Sequence, residues 1–353
     1  MGIDVDLAAR NNRLVRLLAV SLAWATLEIL YQEKNRTGAR IKKPTLAARS
    51  PFNERAVRLT AKANIVDREL YYWVLSTTTT NKDDVVYKDS FKETLHGEFQ
   101  SLAPFKRVSP AIVDTWSSYL NNMEQLKAPE TVSRLFFSTN PCKKTVVDAP
   151  TEWNAKQKLD TFWTRLFGEA LGMSILQWET FDMIFFPIWG AAQEYVICFD
   201  LPDGKMNIID HSFPEPDASV EAKYGKTPFL LKKFFSEALT RCKVPKMAAQ
   251  VRKCRTHVVT MPWRNSNLID EGRIYVMRHM ETYFGESEKD WECGLGPSGT
   301  KSVEMFRIKY ARTLLTCIYN TRGGDNQKKA TRFWKEKPAK FKFENWVDLY
   351  GIE

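Results

Sequence analysis

Apolar residues recur at helical spacing along several stretches of the chain and predict most of its helices. In residues 11–33 they fall three and four positions apart, as on one face of a helix that needs a partner surface. Ser109 followed by Pro110 predicts a helix start, with a capping hydroxyl and a proline in the first turn. The same spacing predicts helices over residues 56–75, 156–171, 273–283 and 303–319, and helical structure resuming near Lys88.

Short apolar runs of strand length are concentrated in the middle of the chain. Residues 182–189 and 194–201 are two such runs, and a turn from Pro202 to Lys205 leads into a returning strand at 206–209. A further strand is predicted at 257–261. Helices that precede and follow one cluster of strands indicate an α+β domain, with one sheet flanked by helices.

Breaks in these patterns divide the chain into three parts. Residues 35–55 are basic and contain Gly38, Pro44 and Pro51, which interrupt periodicity as in a linker. We therefore predict an N-terminal helix and basic linker over 1–50, a main domain over 51–320, and a basic, aromatic C-terminal tail of poor periodicity over 321–353.

Composition and charge narrow the class of protein. The 353 residues are 44% hydrophobic and carry a net charge of +10, with both signs interleaved, which is typical of a folded, basic surface. That charge favours an acidic or polyanionic partner, although no recognised nucleic-acid motif accompanies it. The six cysteines lack paired or zinc-ligand spacing, so we expect reduced thiols and no metal or cofactor. We expect neither a signal peptide nor a membrane span.

An ordered set of motifs carries a family resemblance. One strand ends in Pro187 and Ile188, the next begins near Gln193, and the returning strand ends at Asp210. Asp270-Glu271-Gly272 and a helix reading Val-Met-Arg-His-Met-Glu-Thr-Tyr follow. Over about residues 50 to 320 this order resembles the SUMO-processing, ubiquitin-like-protein-specific cysteine proteases, and most nearly their plant, transposon-encoded branch. The resemblance implies a papain-like fold, with a central mixed sheet flanked by helices and a helical N-terminal extension.

The resemblance also implies that catalysis has been lost. Such a protease needs a thiolate, an imidazole, an orienting carboxylate and an oxyanion donor. By position these roles fall to Glu271, Gln193, Asp210 and Asn265, so only the carboxylate keeps its family type. If the strand is counted one residue later the imidazole position becomes Glu194, and the histidine is absent either way. Losing nucleophile and base together costs on the order of 10⁶-fold in rate. We therefore predict a pseudoprotease.

The remaining cysteines and histidines offer few substitutes for the missing groups. Cys293 lies in a downstream segment outside the family's active site, and Cys198 in mid-strand is expected in the core. His211 is expected to be a surface residue at the hairpin end, and His279 to pack on its helix. A carboxylate cluster of Asp210, Asp270 and Glu271 could suit a divalent cation, but no other ligand pattern supports it.

Three functions remain open at this stage. The first is a catalytically inactive domain that acts as a protein-binding or scaffold subunit, with a ubiquitin-like protein or complex subunits as partners. Its candidate groove residues are Trp189, Glu194, Tyr195 and Trp263. The second is a nucleic-acid-associated factor of transposon origin, with the candidate contacts Arg36, Arg40, Lys42, Lys43, Lys328, Lys329, Arg332 and Lys335. The third is an active cysteine-type hydrolase with unorthodox residues. The resemblance implies a nuclear location, with the cytoplasm as alternative.

Overall fold

The computed structural model describes residues 64–76, 81–127, 131–175, 177–190, 194–213, 219–266, 269–295 and 300–336. All of these lie within Leu46–Glu353, which is one compact unit. The predicted N-terminal helix and linker over 1–50 lie outside the described residues, as do Gln193, Arg36, Arg40, Lys42, Lys43 and residues 337–353 of the tail. The boundary near residue 50 therefore stays a prediction.

Ten α-helices are present in the described part of the chain. They are α1 Ile65–Leu75, α2 His96–Phe99, α3 Pro110–Glu124, α4 Ala155–Gly172, α5 Val220–Tyr224, α6 Thr227–Arg241, α7 Pro245–Lys253, α8 Gly272–Thr282, α9 Thr300–Thr316 and α10 Gly323–Glu336. The Ser109 hydroxyl accepts a hydrogen bond from the backbone N–H of Ala111 at 3.2 Å, which confirms the predicted start of α3.

A five-stranded mixed sheet forms the centre of the domain. Its strands are β3 Arg134–Phe136, β4 Met183–Trp189, β5 Glu194–Asp200, β6 Lys205–Ile209 and β7 Arg255–Val258, and they lie in that order. The outer pairs β3–β4 and β6–β7 are parallel, whereas β4, β5 and β6 are antiparallel. Gly204, with φ of +59°, completes the predicted turn between β5 and β6.

Both faces of the sheet are covered by helices. Every residue of β5 is buried, and alternate side chains along the strands enter two separate cores. Phe185 and Cys198 contribute to the core shared with α1, α3, α8 and α9, whereas Phe186 and Phe199 contribute to the core shared with α4, α6 and α7. The predicted α+β class, with a mixed sheet flanked by helices, is confirmed.

Two local predictions were wrong. The chain near Lys88 forms no helix but a two-stranded hairpin of β1 Val85–Lys88 and β2 Glu93–Leu95. No helix was predicted over residues 321–336 either, but these residues form the helix α10. Ala330 and Phe333 of α10 join the core beside α1, so this part of the tail folds back on the domain, as the sequence favoured over base stacking by its aromatic residues. Apolar positions only three residues apart within a strongly charged segment were enough to form this helix, because α1 supplies the surface that buries them.

Candidate functional site

The carboxyl end of β6, the first residue of β5 and the start of α8 meet at one end of the sheet. Strands β5 and β6 are antiparallel, and Val196 pairs with Ile209 at this end of the ladder. Continued by two residues in the same register, the pairing places Glu194 across from His211. Glu271 ends a 3₁₀ turn, Ile269–Glu271, that runs directly into α8. The structure thus gathers Asp210, Glu194 and Glu271, which lie far apart in the sequence, at one place.

Glu271, at the position assigned to the nucleophile, is held by a buried arginine. Its Oε2 atom accepts hydrogen bonds from Nε and Nη2 of Arg307, at 3.0 and 2.7 Å. The Arg307 side chain is fully buried and also donates to the backbone carbonyls of Ser101, Ala103 and Lys106. Burial raises the pKa of the Glu271 carboxyl, and the Arg307 charge opposes that rise. Glu271 therefore serves as the counter-ion of a buried cation.

Asp210, at the orienting position, is bonded to groups other than an imidazole. Its Oδ1 accepts hydrogen bonds from the backbone N–H and the hydroxyl of Ser212, at 2.9 and 3.0 Å. Nζ of Lys223 lies 2.8 Å from its Oδ2. Nδ1 of His211 lies 3.6 Å from Oδ1, beyond the range of a good hydrogen bond. Asn265, the residue at the oxyanion position, donates its backbone N–H to the His211 carbonyl at 2.7 Å.

Glu194 forms the centre of an ion triad with two arginines. Its Oε1 lies 2.8 Å from Nε of Arg107, in the loop before α3, and 2.7 Å from Nε of Arg273, in the first turn of α8. The residue is only 5% exposed, and its Oε2 accepts no hydrogen bond from the described residues. Burial raises the pKa of the Glu194 carboxyl, while both arginines act to lower it. We call Arg107, Glu194 and Arg273 the ion triad.

The candidate groove aromatics differ in their surroundings. Trp189 is half-buried, with Nζ of Lys143 and the guanidinium of Arg273 lying 4.8 and 5.0 Å from its ring. Tyr195 is buried and packs edge to face on Tyr224. Trp263 is also buried and donates its indole N–H to Nε2 of His279 at 3.2 Å. Tyr195 and Trp263 therefore lie in the interior rather than on an open groove surface.

Two histidines lie in the interior near this site. The prediction of a surface position for His211 was wrong, because the residue is 6% exposed and stacks on Tyr275 with ring centres 4.7 Å apart. His279 is packed, as predicted, and burial lowers its pKa well below the usual range, with the nearby His211 charge acting in the same direction. A histidine in that state is neutral at pH 7, so its Nε2 atom can accept the hydrogen bond from the Trp263 indole N–H.

The thiols show no sign of activation. All six cysteines are free, and four of them are buried, including Cys293 and Cys198, the latter in the core as predicted. Burial raises the pKa of the half-buried Cys242 to about 12 and that of Cys254 to about 11. It also raises the pKa of Cys317. Nucleophilic cysteines require a lowered pKa and an accessible sulfur, so these thiols are poor candidates.

The predicted basic contacts that the structure describes lie on α10. Lys328, Lys329, Arg332 and Lys335 are all exposed there. Lys329 lies 3.4 Å from Asp84, and Arg332 lies 2.8 Å from Glu336, so acidic side chains are interleaved with the cations. Trp334 on the same helix stacks on Tyr72 of α1 with ring centres 5.5 Å apart. The exposed face of α10 is therefore mixed in charge, and this aromatic side chain packs on the domain.

The described residues contain neither a cluster of metal ligands nor a membrane-spanning helix. Among the residues that the structure describes, there is no group of three or more His, Cys, Asp or Glu side chains placed to hold a metal ion. Within the same residues, no helix is long and apolar enough to cross a bilayer. Asp210 and Glu271 instead face the separate cations Lys223 and Arg307.

Sequence reasoning missed Arg107, Arg273 and Arg307. These arginines lie 87, 79 and 36 residues from their partners Glu194 and Glu271, so no local pattern links them. The sequence did contain one signal. Glu194 begins an apolar strand and Glu271 precedes a helix, and a carboxylate that is buried at such a position needs a cation beside it. The identity of those cations depends on the tertiary fold.

Comparison with known proteins supports the fold. No protein-family model matches the chain, and no curated protein matches it in sequence. Its fold resembles that of the SUMO protease Ulp1 with the catalytic cysteine oxidised to a sulfonic acid, at a TM-score of 0.50 and 14% identity over 73% of this chain and 98% of that one. It also resembles the C-terminal Ulp1 protease domain in the X-ray structure of its complex with Smt3, the yeast ortholog of SUMO, at a TM-score of 0.50 and 16% identity over 74% and 98%. The chain thus has the fold of SUMO protease domains.

Proposed function

We propose that this chain, which has the fold of SUMO protease domains, is a catalytically inactive member of that group and acts as a protein-binding or scaffold subunit. The observation that carries the proposal is the engagement of Glu271 with Arg307. At the position that the resemblance assigns to a reactive thiol, this chain has the counter-ion of a fully buried arginine. A side chain committed to that contact supports the fold instead of attacking a substrate.

Two further contacts support the loss of catalysis. Asp210 accepts hydrogen bonds from Ser212 and lies against Lys223, and Nδ1 of His211 lies 3.6 Å from its Oδ1, longer than the hydrogen bond by which a carboxylate orients an imidazole. The six free thiols are buried or half-buried, and those whose pKa is shifted are shifted upward, away from thiolate formation. A domain with these features has the fold of SUMO protease domains, and its carboxylates at the assigned positions are engaged in ion pairs. The proposed partners are therefore proteins, and a ubiquitin-like protein is the first to test.

Isolation of the native protein under low and high salt tests this proposal. We expect a discrete protein partner that stays bound through a high-salt wash, because an interface with a desolvated core depends little on ionic strength. Mass spectrometry of the retained proteins identifies the partner, and purified Smt3 serves as a direct probe in a binding assay. Nucleic acid that is lost at high salt, with no retained protein, would contradict the proposal and favour the exposed cations of α10 as the functional surface.

The proposed location of the protein is the nucleus.

A further inference from the structure

The two edges of the five-stranded sheet differ in how their outer backbone groups are satisfied. At β3, the side-chain amide of Asn121 in α3 accepts a hydrogen bond from the Phe136 N–H at 3.0 Å and donates one to the Phe136 carbonyl at 2.8 Å. Glu124, at the end of the same helix, accepts the backbone N–H of Arg134 at 3.3 Å. Helix α3 therefore covers this edge, and a covered edge does not pair with another chain.

At the opposite edge, the outward backbone groups of β7 have no such cover. Arg255 donates its N–H to the Gly204 carbonyl at 2.9 Å, on the side of β6, and Val259 donates to β6 in the same way at 3.0 Å. Successive residues of a strand direct their N–H and carbonyl groups to alternate sides, so those of Thr256 and Val258 point away from β6. In the described part of the chain, no group pairs with them there. We call these outward groups of Thr256 and Val258 the β7 edge.

The β7 edge is short and bounded at both ends. Before it, Nζ of Lys232 in α6 donates to the Cys254 carbonyl at 3.2 Å. After it, the Thr260 N–H donates to Oε1 of Glu288 at 2.7 Å. A segment of a few residues in extended conformation is the size of group that this gap accommodates, and strand addition is an established way in which proteins bind such segments.

The charges beside the β7 edge are positive where the strand begins. Arg252, Lys253 and Arg255 are all exposed, and none of them forms an ion pair with any described residue. In the sheet register, Lys205 of β6 lies between Asp200 of β5 and Arg255 of β7. A residue on an added strand would lie next to Arg255, where a carboxylate stabilises the cross-strand pair and a second cation destabilises it.

These features select one kind of occupant. A polypeptide is favoured over other polyanions, because only an extended polypeptide presents N–H and carbonyl groups at the spacing of a strand. A second copy of the same edge is disfavoured, because it would bring the exposed cations of the two copies together.

We propose that the β7 edge binds an extended, acidic segment of a protein partner, which adds to the sheet as its sixth strand. Backbone hydrogen bonds to Thr256 and Val258 hold the segment, and Arg255 selects carboxylates at the positions beside it. That the segment belongs to a protein partner rests on the proposed function, whereas the open edge does not.

Amide hydrogen exchange of the full chain, resolved to single residues, tests whether the edge is open. The amides of Thr256 and Val258 are expected to exchange at least about tenfold faster than those of Arg255 and Val259, which are bonded to β6. Equal protection of all of them in the free protein would overturn the proposal. It would identify a second copy as the occupant if the protection rises with protein concentration, and another segment of this chain if it does not.

Binding of a synthetic peptide tests the occupant. The probe is a labelled peptide of alternating glutamate and valine, and a peptide of alternating lysine and valine is its control. We expect the acidic peptide to bind with a Kd below about 1 mM and the basic one at least about tenfold more weakly. Arg255→Glu should weaken binding of the acidic peptide at least about tenfold, whereas Arg332→Glu, at an exposed arginine of α10, should leave it unchanged.

A backbone variant separates strand addition from simple charge attraction. Thr256→Pro removes an outward N–H and leaves the pairing with β6 in place, because proline is tolerated where the N–H of an edge strand faces solvent. Binding of the acidic peptide should fall at least about tenfold, with an unchanged circular dichroism spectrum. If this variant does not fold, the comparison of Arg255→Glu with Arg332→Glu still decides.

Absence of acidic-peptide binding up to about 1 mM, or equal binding by the wild type and Arg255→Glu, would overturn the proposal. Either result would leave the proposed function standing as long as the native protein retains a partner in the salt test. A native protein that retains no protein partner would instead sink the proposed function and leave the exchange and peptide results intact.

Discussion

Replacement of Glu271 by alanine is expected to lower the free energy of unfolding by about 3–5 kcal/mol, because it leaves the charge of a fully buried arginine without its counter-ion. Arg307 would keep its hydrogen bonds to the carbonyls of Ser101, Ala103 and Lys106, but these are dipoles and compensate a full charge only in part. Chemical denaturation followed by circular dichroism measures the change.

Two companion variants make the Glu271 result specific. Glu271→Gln retains an acceptor for Arg307 without the charge, so its loss should be smaller than that of Glu271→Ala. Asp160→Ala removes an exposed ion pair, with side chains 46% and 35% exposed, and should change stability by no more than about 1 kcal/mol. If Glu271→Ala proves as mild as Asp160→Ala, the structural role assigned to Glu271 is wrong.

Gly272→Ala is expected to destabilise the protein by about 1–3 kcal/mol, although alanine normally favours a helix over glycine. The new Cβ would lie 2.6 Å from Oε2 of Glu194, and Glu194 cannot move aside without leaving Arg107 or Arg273. The clash therefore breaks the ion triad or shifts the start of α8. Thermal and urea unfolding measure the loss.

Gly168→Ala supplies the control of opposite sign. Gly168 also lies in a helix, α4, but a Cβ placed there meets no atom within 4 Å. That substitution should stabilise the protein by about 0.4–1 kcal/mol, because alanine lowers the conformational entropy of the unfolded chain and has a higher helix propensity than glycine. A stabilising effect at both glycines would mean that the space beside Glu194 is open.

The fold was predictable from the sequence where local chemistry decides the structure. Ser109 and Pro110 specify a helix start, and the turn ending at Lys205 specifies the hairpin. The hairpin of β1 and β2 was not predictable in this way, because its strands are only four and three residues long. The buried Thr94 of β2 is secured by a hydrogen bond to Thr115 of α3, a contact that no local pattern contains.

The sequence predicted which residues occupy the site, but it did not predict which groups they contact. Family resemblance placed Asp210, Asn265 and Glu271 at the functional positions, and the structure gathers Asp210 and Glu271 near one end of the sheet. The use that this chain makes of its carboxylates depends on arginines drawn from distant segments, such as Arg307 in α9 and Arg107 before α3. Tertiary packing determines which residues form such buried ion pairs, because a buried charge destabilises the fold unless its partner lies beside it.

The proposed loss of catalysis is tested most directly by asking whether any thiol of this chain acts as a nucleophile toward a ubiquitin-like substrate. Purified protein would be incubated with Smt3 that carries an electrophilic group at its C-terminus, and intact mass would report covalent capture. The expected result is that none of the six cysteines forms an adduct and that an Smt3 precursor stays uncleaved under the same conditions. A stoichiometric adduct that maps to one cysteine, and disappears when that cysteine is changed to serine, would contradict it.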